Sequence, residues 1–356
     1  MSKTSPKNTE FKAKTAKQHY EEAAARIVEA LKAGTAPWIQ PWSEEAAATF
    51  SRPMNANTER PYAGINTILL MSRGYKDPRW CTFNQAKANE WNVKKGEKGT
   101  AIYFFKPTQV KTEEIDPTTQ KQKIKTIPVL KSFVVFNAEQ LENVPAYTAQ
   151  PKNFKPVDAA ESILSNSGAK FSYGQHEPSY DSHTDTIKMP PKGAFKSEDL
   201  FYSCALHELG HWTGAESRLN RPQVEFVMEP ELYAREEMRA EIASMLLSAD
   251  TGIMHNPENH MAFIGEWIQI LESDPKEIFK AARDAEAIRN HILQYLDPQL
   301  SQEVQDVSTQ PKAEQAIFTQ PAQTPSTPNN DDDEFFDFAS IFDEVETRKS
   351  ASPSMS

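Results

Sequence analysis

At 356 residues the chain is long for one domain, and 38 % of it is aliphatic or aromatic, enough for true cores and too much for a wholly disordered protein. No run approaches the roughly 18 apolar residues that cross a bilayer, and two cysteines, Cys81 and Cys204, set no disulfide framework, which fits a reducing cytoplasm. The net charge of −11 is uneven: residues 1–150 hold 22 Lys+Arg against 15 Asp+Glu (+7), residues 151–300 hold 14 against 24 (−10), and residues 301–356 hold 3 against 11 (−8). A polyanion partner is therefore expected for the front half only, with random surface variation as the plain alternative.

Residues 1–16 are polar and Lys-rich, lack the apolar stretch of a secretion signal, and read as a disordered basic arm. QHYEEAAARIVEALKA (18–33) has the spacing of an amphipathic helix, closed by Gly34. PWIQPW is punctuated by proline, and MNANTERPYAGINTILL carries turn residues ahead of a second helix. AIYFFKP (101–107) and KTIPVLKSFVVFN (125–137) read as strands on either side of a polar insertion at 108–124. These elements make a first domain at 17–145, followed by a Pro-rich polar linker at 146–156. A second domain at 157–300 opens with a helix near 158–165 and a turn or hairpin in YDSHTDTIKMP (180–190), which leads into a strand. Helices are predicted there at 198–213, 230–247, 259–273 and 276–296, and residues 301–356 read as a disordered tail.

The sharpest motif is FYSCALHELGHWTG (201–214), in which His207, Glu208 and His211 fit H-E-x-x-H. The apolar periodicity of EDLFYSCAL behind Ser197, a good N-cap, puts the motif on a helix. A spacing of four then aims both imidazoles one way, able to share a zinc ion, while Glu208 is placed to take a proton from water. Two solvated histidines on a surface helix are the competing account. A catalytic zinc needs a third protein ligand. In YAREEMRAEIASML, Glu237 and Glu241 are four apart and share a face, while Glu236 points elsewhere. In zincins whose third ligand is a glutamate, an acid or amide four positions later commonly orients a ligand from behind. By that pattern Glu237 is the candidate ligand and Glu241 its support; a solvated stripe with Arg235 and Arg239 is the alternative. His260, at a helix start, is the candidate for stabilising an oxyanion. The other histidines carry no spacing signal, and Cys204, three before His207, reads as a small buried residue of the helix.

In the front half aromatic rings are interleaved with cations, the combination that holds single-stranded nucleic acid by stacking and phosphate neutralisation. The candidate contact set is Trp38, Trp42, Tyr62, Asn66, Arg79, Trp80, Lys94, Lys95, Lys98 and Tyr103. Most rings in a domain of this size belong to a core, so only a few are expected at the surface. VKKGEKG (93–99), three lysines and two glycines just ahead of a strand, is either a phosphate-contacting turn or an ordinary hairpin turn. The tail segment DDDEFFDFASIFDEVE (331–346) has eight acids and no base, with apolar residues at helical spacing. Such a segment is expected to dock into a partner or to fold back on the basic first domain.

The run YDSHTDTIKMP, HELGHWTG, SRLNR, YAREEMRAEI and NHMAFIGEWIQIL, in that order, resembles the zincin-like metallopeptidase domain of ArdC-type antirestriction proteins, a domain shared with polyvalent proteins of phages and conjugative elements. APWIQPW, RPMNANTERPYAGINTILL, RWCTFNQAKANEWNVKKGEKG and IYFFKP resemble the N-terminal domain of the same family, which is also similar to the front of certain plasmid primases. The resemblance covers about residues 15–145 and most of 157–296. It implies an α+β protein of two domains, an α+β domain binding single-stranded DNA and a mainly helical zincin with a small sheet. It supports Glu237 as the third ligand of Zn2+. Phe263 stands where many relatives have a tyrosine. The implied function is antirestriction by a mobile element, with single-stranded DNA and a host restriction or DNA-bound protein as partners. Two other readings stand beside it: a DNA-associated metalloprotease that clears proteins from DNA, and a non-enzymatic DNA-binding protein in which zinc is structural.

Overall fold

A computed structural model describes residues 14–43, 46–47, 50–115, 122–148, 154–222 and 229–300. The basic arm up to residue 13, most of the linker (149–153) and the tail with its acidic-aromatic segment lie outside these residues.

Helix α1, Ala16–Lys32, starts at the last residue of the basic arm, where Thr15 and Gln18 form a capping box. It ends at Gly34, whose φ of 68° suits a residue without a side chain. After a 3-10 turn at Pro37–Ile39 the chain makes β1 (Met54–Asn55), α2 (Ile65–Met71), β2 (Arg79–Thr82), α3 (Phe83–Ala88), β3 (Asn92–Val93), β4 (Thr100–Ile115), β5 (Gln122–Asn137) and β6 (Leu141–Glu142). The main front sheet has the order β1-β2-β5-β4, with β1 parallel to β2 and the other pairs antiparallel; β3 and β6 form a separate pair. Gly99 is needed at the entry to β4, since a Cβ there would lie 2.9 Å from the Val135 carbonyl oxygen.

The polar insertion expected at 108–124 is instead a continuation of both strands. β4 and β5 stay paired from Thr100↔Val135 to Ile115↔Gln122, with an irregularity between Lys111 and Ile115. Gln109, Ile115, Gln122 and Ile124 are all exposed, so the described residues of this stretch show no buried apolar row for a sequence reading to detect.

The rear half consists of α4 (Pro156–Asn166), β7 (Lys170–Tyr173), β8 (Ser179–Asp181), β9 (Thr186–Met189), α5 (Glu198–Trp212), α6 (Pro230–Thr251), a 3-10 turn at Glu258–Phe263, α7 (Ile264–Ser273) and α8 (Glu277–Leu293). Its small sheet has the order β7-β9-β8, with β7 parallel and β8 antiparallel to β9. The architecture is thus α+β, a front sheet region and a mainly helical rear region. A single apolar cluster runs through both: Tyr20, Ile27, Trp38, Ile65, Tyr103 and Leu130 of the front join Leu206, Met245, Trp267, Phe279 and Ile288 of the rear. Tyr20 meets Phe279 edge-on at 4.8 Å, and Gly64 donates its amide to Glu286, which also pairs with Arg52. Among the described residues no helix is long and apolar enough to cross a membrane.

Candidate metal centre

Ser197 accepts the Leu200 amide at 3.3 Å and starts α5, with Glu198 and Asp199 favourably in its first turn. Two turns on, His207 and His211 project together, ring centroids 4.8 Å apart. α6 crosses α5 with Glu237 facing the pair. His207 Nε2 and His211 Nε2 are 3.1 Å apart, His211 Nε2 lies 3.4 Å from Glu237 Oε1, and His207 Nε2 lies 3.5 Å from Glu237 Oε2. Ligands at zinc bond lengths of 2.0–2.1 Å in a tetrahedron stand about 3.3 Å apart. Each imidazole nitrogen thus faces its own oxygen of the Glu237 carboxylate, and one donor atom from each of the three residues lies within 4.8 Å of the others, a set that fits a divalent ion.

The supports behind the three donors are as specific as the donors. Glu241, only 2 % exposed, places Oε1 3.2 Å from His207 Nδ1. An acceptor there favours the hydrogen on Nδ1 and leaves the Nε2 lone pair directed at the other donors. Glu236, expected to point elsewhere, in fact puts Oε1 3.5 Å from His211 Nδ1. It can do so because Arg221 draws the carboxylate inward at 2.6 Å while also donating to Gly210 O and Thr213 Oγ1. A solvated Glu/Arg stripe is not what α6 presents: Glu237 is 2 % exposed, whereas Arg235 and Arg239 both reach Glu277 on α8.

Burial alone would depress both imidazole pKa values, but the carboxylates outweigh it. Glu237 and Glu241 lift His207 well above its ordinary value, and Glu237 with Glu236 lifts His211 to about 9. Burial would raise Glu236, yet the His211 and Arg221 beside it hold it below the usual range.

His207 and Glu237 line a cavity of about 550 Å3, whose walls also include Glu208, Tyr233, Phe195, Phe263, Asn256 and residues 176–178. Glu208 is 6 % exposed and stands on this wall. Tyr233, one turn before Glu237, packs its ring 5.8 Å from Phe263. Burial and then the charge of Glu237 push its phenol far up, so it remains a hydrogen-bond donor. Cys204 also lines the cavity, and burial pushes its thiol up to about 11, which keeps it protonated. His260 falls in the 3-10 turn Glu258–Phe263, and its side chain lies outside the described residues.

The front-half contact set is not brought together as one surface. Trp38 and Tyr103 are wholly buried, and Trp80, Tyr62 and Asn66 are 2–4 % exposed. Asn66 holds the Tyr103 backbone from both sides, at 2.6 and 2.8 Å. A ring with no free face cannot stack on a base, so these five leave the set as core residues. Trp42 is half-buried against Phe50, and Arg79 is tied to Asp77, Pro145 O and the Tyr147 ring. Lys94, Lys95 and Lys98 are exposed, Lys94 reaching Glu139 O at 2.8 Å. What the outer surface presents instead is Phe83, Phe133 and Val134, 57 %, 45 % and 51 % exposed, with Phe104 stacked flat on Phe133 at 4.5 Å. The register places them near one end of the sheet. Val134 follows Phe133, Phe83 follows the Val135 partner Thr82, and the lysine turn ends at Gly99, next to the other Val135 partner, Thr100. Strand parity could have separated Phe104 from Tyr103; nothing local marks Arg221, Glu236 or His255, which depend on how the helices close.

Comparison with known proteins matches residues 17–136 to the N-terminal domain of anti-restriction factor ArdC and residues 158–284 to a zincin-like metallopeptidase family. A DNA primase TraC of Escherichia coli is 42 % identical over 312 residues, covering 84 % of this chain, which spans only 29 % of that protein. The metal-free crystal structure of the antirestriction ArdC protein from plasmid R388 superposes with a TM-score of 0.62 at 30 % identity, covering 77 % of this chain and 96 % of that one. Its Mn(II)-bound form gives 0.62 at 28 %, covering 78 % and 98 %.

Proposed function

The chain belongs to the ArdC family of antirestriction proteins, and we propose that it binds single-stranded DNA through the front sheet and hydrolyses peptide bonds at a zinc centre between α5 and α6. Together these activities protect incoming DNA of a mobile element from restriction. The observation that carries the hydrolytic half is the convergence of His207, His211 and Glu237, the imidazole Nε2 atoms 3.1 Å apart and each within 3.5 Å of one Glu237 oxygen, beside a cavity that His207, Glu237 and Glu208 line.

When bound, the ion supplies Lewis acidity toward a water and a substrate carbonyl. The chain supplies the rest. Glu208, almost wholly out of water, is placed to take a proton from the attacking water and return it to the leaving amine. Tyr233, protonated and on the same wall, offers a donor to charge developing on the carbonyl oxygen. That role is the one the sequence reading gave to His260. The aromatic wall of Phe195 and Phe263 excludes water from part of the cavity and favours an apolar or aromatic substrate side chain.

For DNA, Phe133 with Phe104 offers a stacking platform, and exposed Lys98, Lys106 and Lys131 lie on strands and turns around it. Titration with labelled single and double strands at two salt concentrations is the test: tighter binding of single strands that weakens with salt supports the reading, and equal, salt-insensitive binding removes it. Glu208→Ala tests the other half. Metal binding is expected to remain and peptide hydrolysis to vanish; protection of DNA that survives in this variant would assign antirestriction to binding alone.

A further inference from the structure

Behind the metal centre the chain of polar contacts does not stop at Glu241. Past the left-handed Gly252 that ends α6, the chain turns back and buries His255 to 1 % exposure. Its Nε2 lies 2.8 Å from the backbone carbonyl of Trp38 and 3.7 Å from Glu241 Oε2. A carbonyl only accepts, so Nε2 carries its hydrogen, and that N–H edge also faces the carboxylate. The main chain of His255 is held from the same side: Trp42 N donates to His255 O at 2.9 Å, and the Trp42 ring stands edge-on to the imidazole at 6.0 Å. A front segment, residues 38–42, therefore grips His255 by both side chain and backbone. His255 in turn faces the carboxylate that stands 3.2 Å from His207 Nδ1.

We propose that His255 is a positioning residue that makes the 38–42 segment of the front region part of the metal centre's support. This rests on the reading that His207, His211 and Glu237 hold a divalent ion. A ligand binds tightly when its supporting carboxylate is already oriented, and Glu241 is oriented from a second side by a group fixed to the front region. Reciprocity follows: if order at 38–42 tightens the metal, then loading the metal must order 38–42 by the same factor. Through this segment the DNA-binding and metal-binding regions share an equilibrium as well as a core.

The test uses the full chain, with zinc titrated against a chromogenic chelator, and hydrogen exchange of the peptide spanning 37–43 followed with and without zinc. The Trp42 amide is the direct reporter because it donates to His255. In the wild type, zinc is expected to slow exchange at 37–43 as well as in α5 and α6. His255→Leu is expected to weaken zinc about tenfold, the lower edge of what outer supports contribute, and to abolish the zinc-dependent slowing at 37–43 even at saturation. His255→Gln, whose amide N–H can still reach the Trp38 carbonyl, is expected to recover part of both. Wild-type protein that takes up no zinc would sink the metal reading and this inference with it. Zinc that binds and protects α5 and α6 without touching 37–43, or His255→Leu that binds zinc as tightly as wild type, would overturn the inference alone. Should His255→Leu not fold, the wild-type exchange pattern and His255→Gln still decide.

Discussion

Between α5 and α6, the imidazoles of His207 and His211 and the carboxylates of Glu237 and Glu241 sit largely out of water, whereas in the front region Phe83, Phe133 and Val134 are about half in it. Each region inverts the ordinary partition of side chains. Buried charges are costly unless paired or bound to a metal, and in the rear cluster each imidazole has a second group behind it: Glu241 at His207, and Glu236 with Arg221 at His211. Exposed rings cost far less, and they need no such scaffolding. The two regions therefore differ in how they fail: removing a group from the rear cluster strands its neighbours, while removing an outer ring changes only what the surface can bind.

The sharpest way to break this contrast is to exchange core and surface within the front region. Trp80→Ala, at a position 2 % exposed, is expected to cost about 3–5 kcal/mol of stability, measured by urea denaturation; a near-neutral result would mean that Trp80 is not the core residue its burial indicates. In the rear, Glu237→Ala is expected to weaken zinc by more than the roughly 10–100-fold typical of supporting residues, read by chelator competition. A smaller loss would demote Glu237 to a support. Phe133→Ala should leave the melting temperature nearly unchanged and cost about 1–3 kcal/mol of single-strand affinity, one stacked base. Unaltered DNA binding would move the interface elsewhere.

How much of this was legible before folding follows the same divide. The two histidines and Glu237 were readable because helical periodicity converts a spacing of four into a shared face, and α5 and α6 each present their pair as the spacing requires. Glu236 was not, because its direction depends on Arg221, which arrives from the loop between the helices. His255 sits beyond any periodic element, and only the packing of front against rear gives it Trp38 and Glu241 as neighbours. In the front half, aromatic residues beside lysines looked alike whether buried or exposed. Tyr103 and Phe104 are adjacent in sequence yet lie on opposite faces of β4, one wholly buried and one paired with exposed Phe133. The hairpin beyond Pro107 was invisible for the reverse reason: exposed residues such as Gln109, Gln122 and Ile124 carry no contrast to count.

The smallest expected effect comes from a charged acid near the cavity that is only half-buried, its side chain 20 % exposed against 2 % for Glu237 and Glu241, and it sharpens the comparison by relaxing burial. Asp181 ends β8, close to the 176–178 segment that lines the cavity. Its Oδ1 accepts the His183 and Thr184 amides at 3.0 and 3.2 Å, and its Oδ2 accepts Lys188 Nζ at 2.8 Å. Lys188 first, and then these turn contacts, hold the carboxyl down to about 2. A depressed folded value means the contribution is complete above the unfolded pKa near 4 and is lost as pH falls from there through about 2. Asp181→Asn keeps an oxygen for both amides and removes only the charge facing Lys188. The variant is expected to melt no more than about 2–4 °C below wild type at pH 7, with the difference shrinking below pH 4 and approaching zero only as pH falls through about 2. A gap that persists unchanged at low pH would place the contribution in the turn hydrogen bonds rather than in the ion pair. A gap much larger than this at neutral pH would show that a half-buried carboxylate here matters as much as the fully buried ones of the candidate metal centre, and the contrast between the two regions would no longer rest on burial.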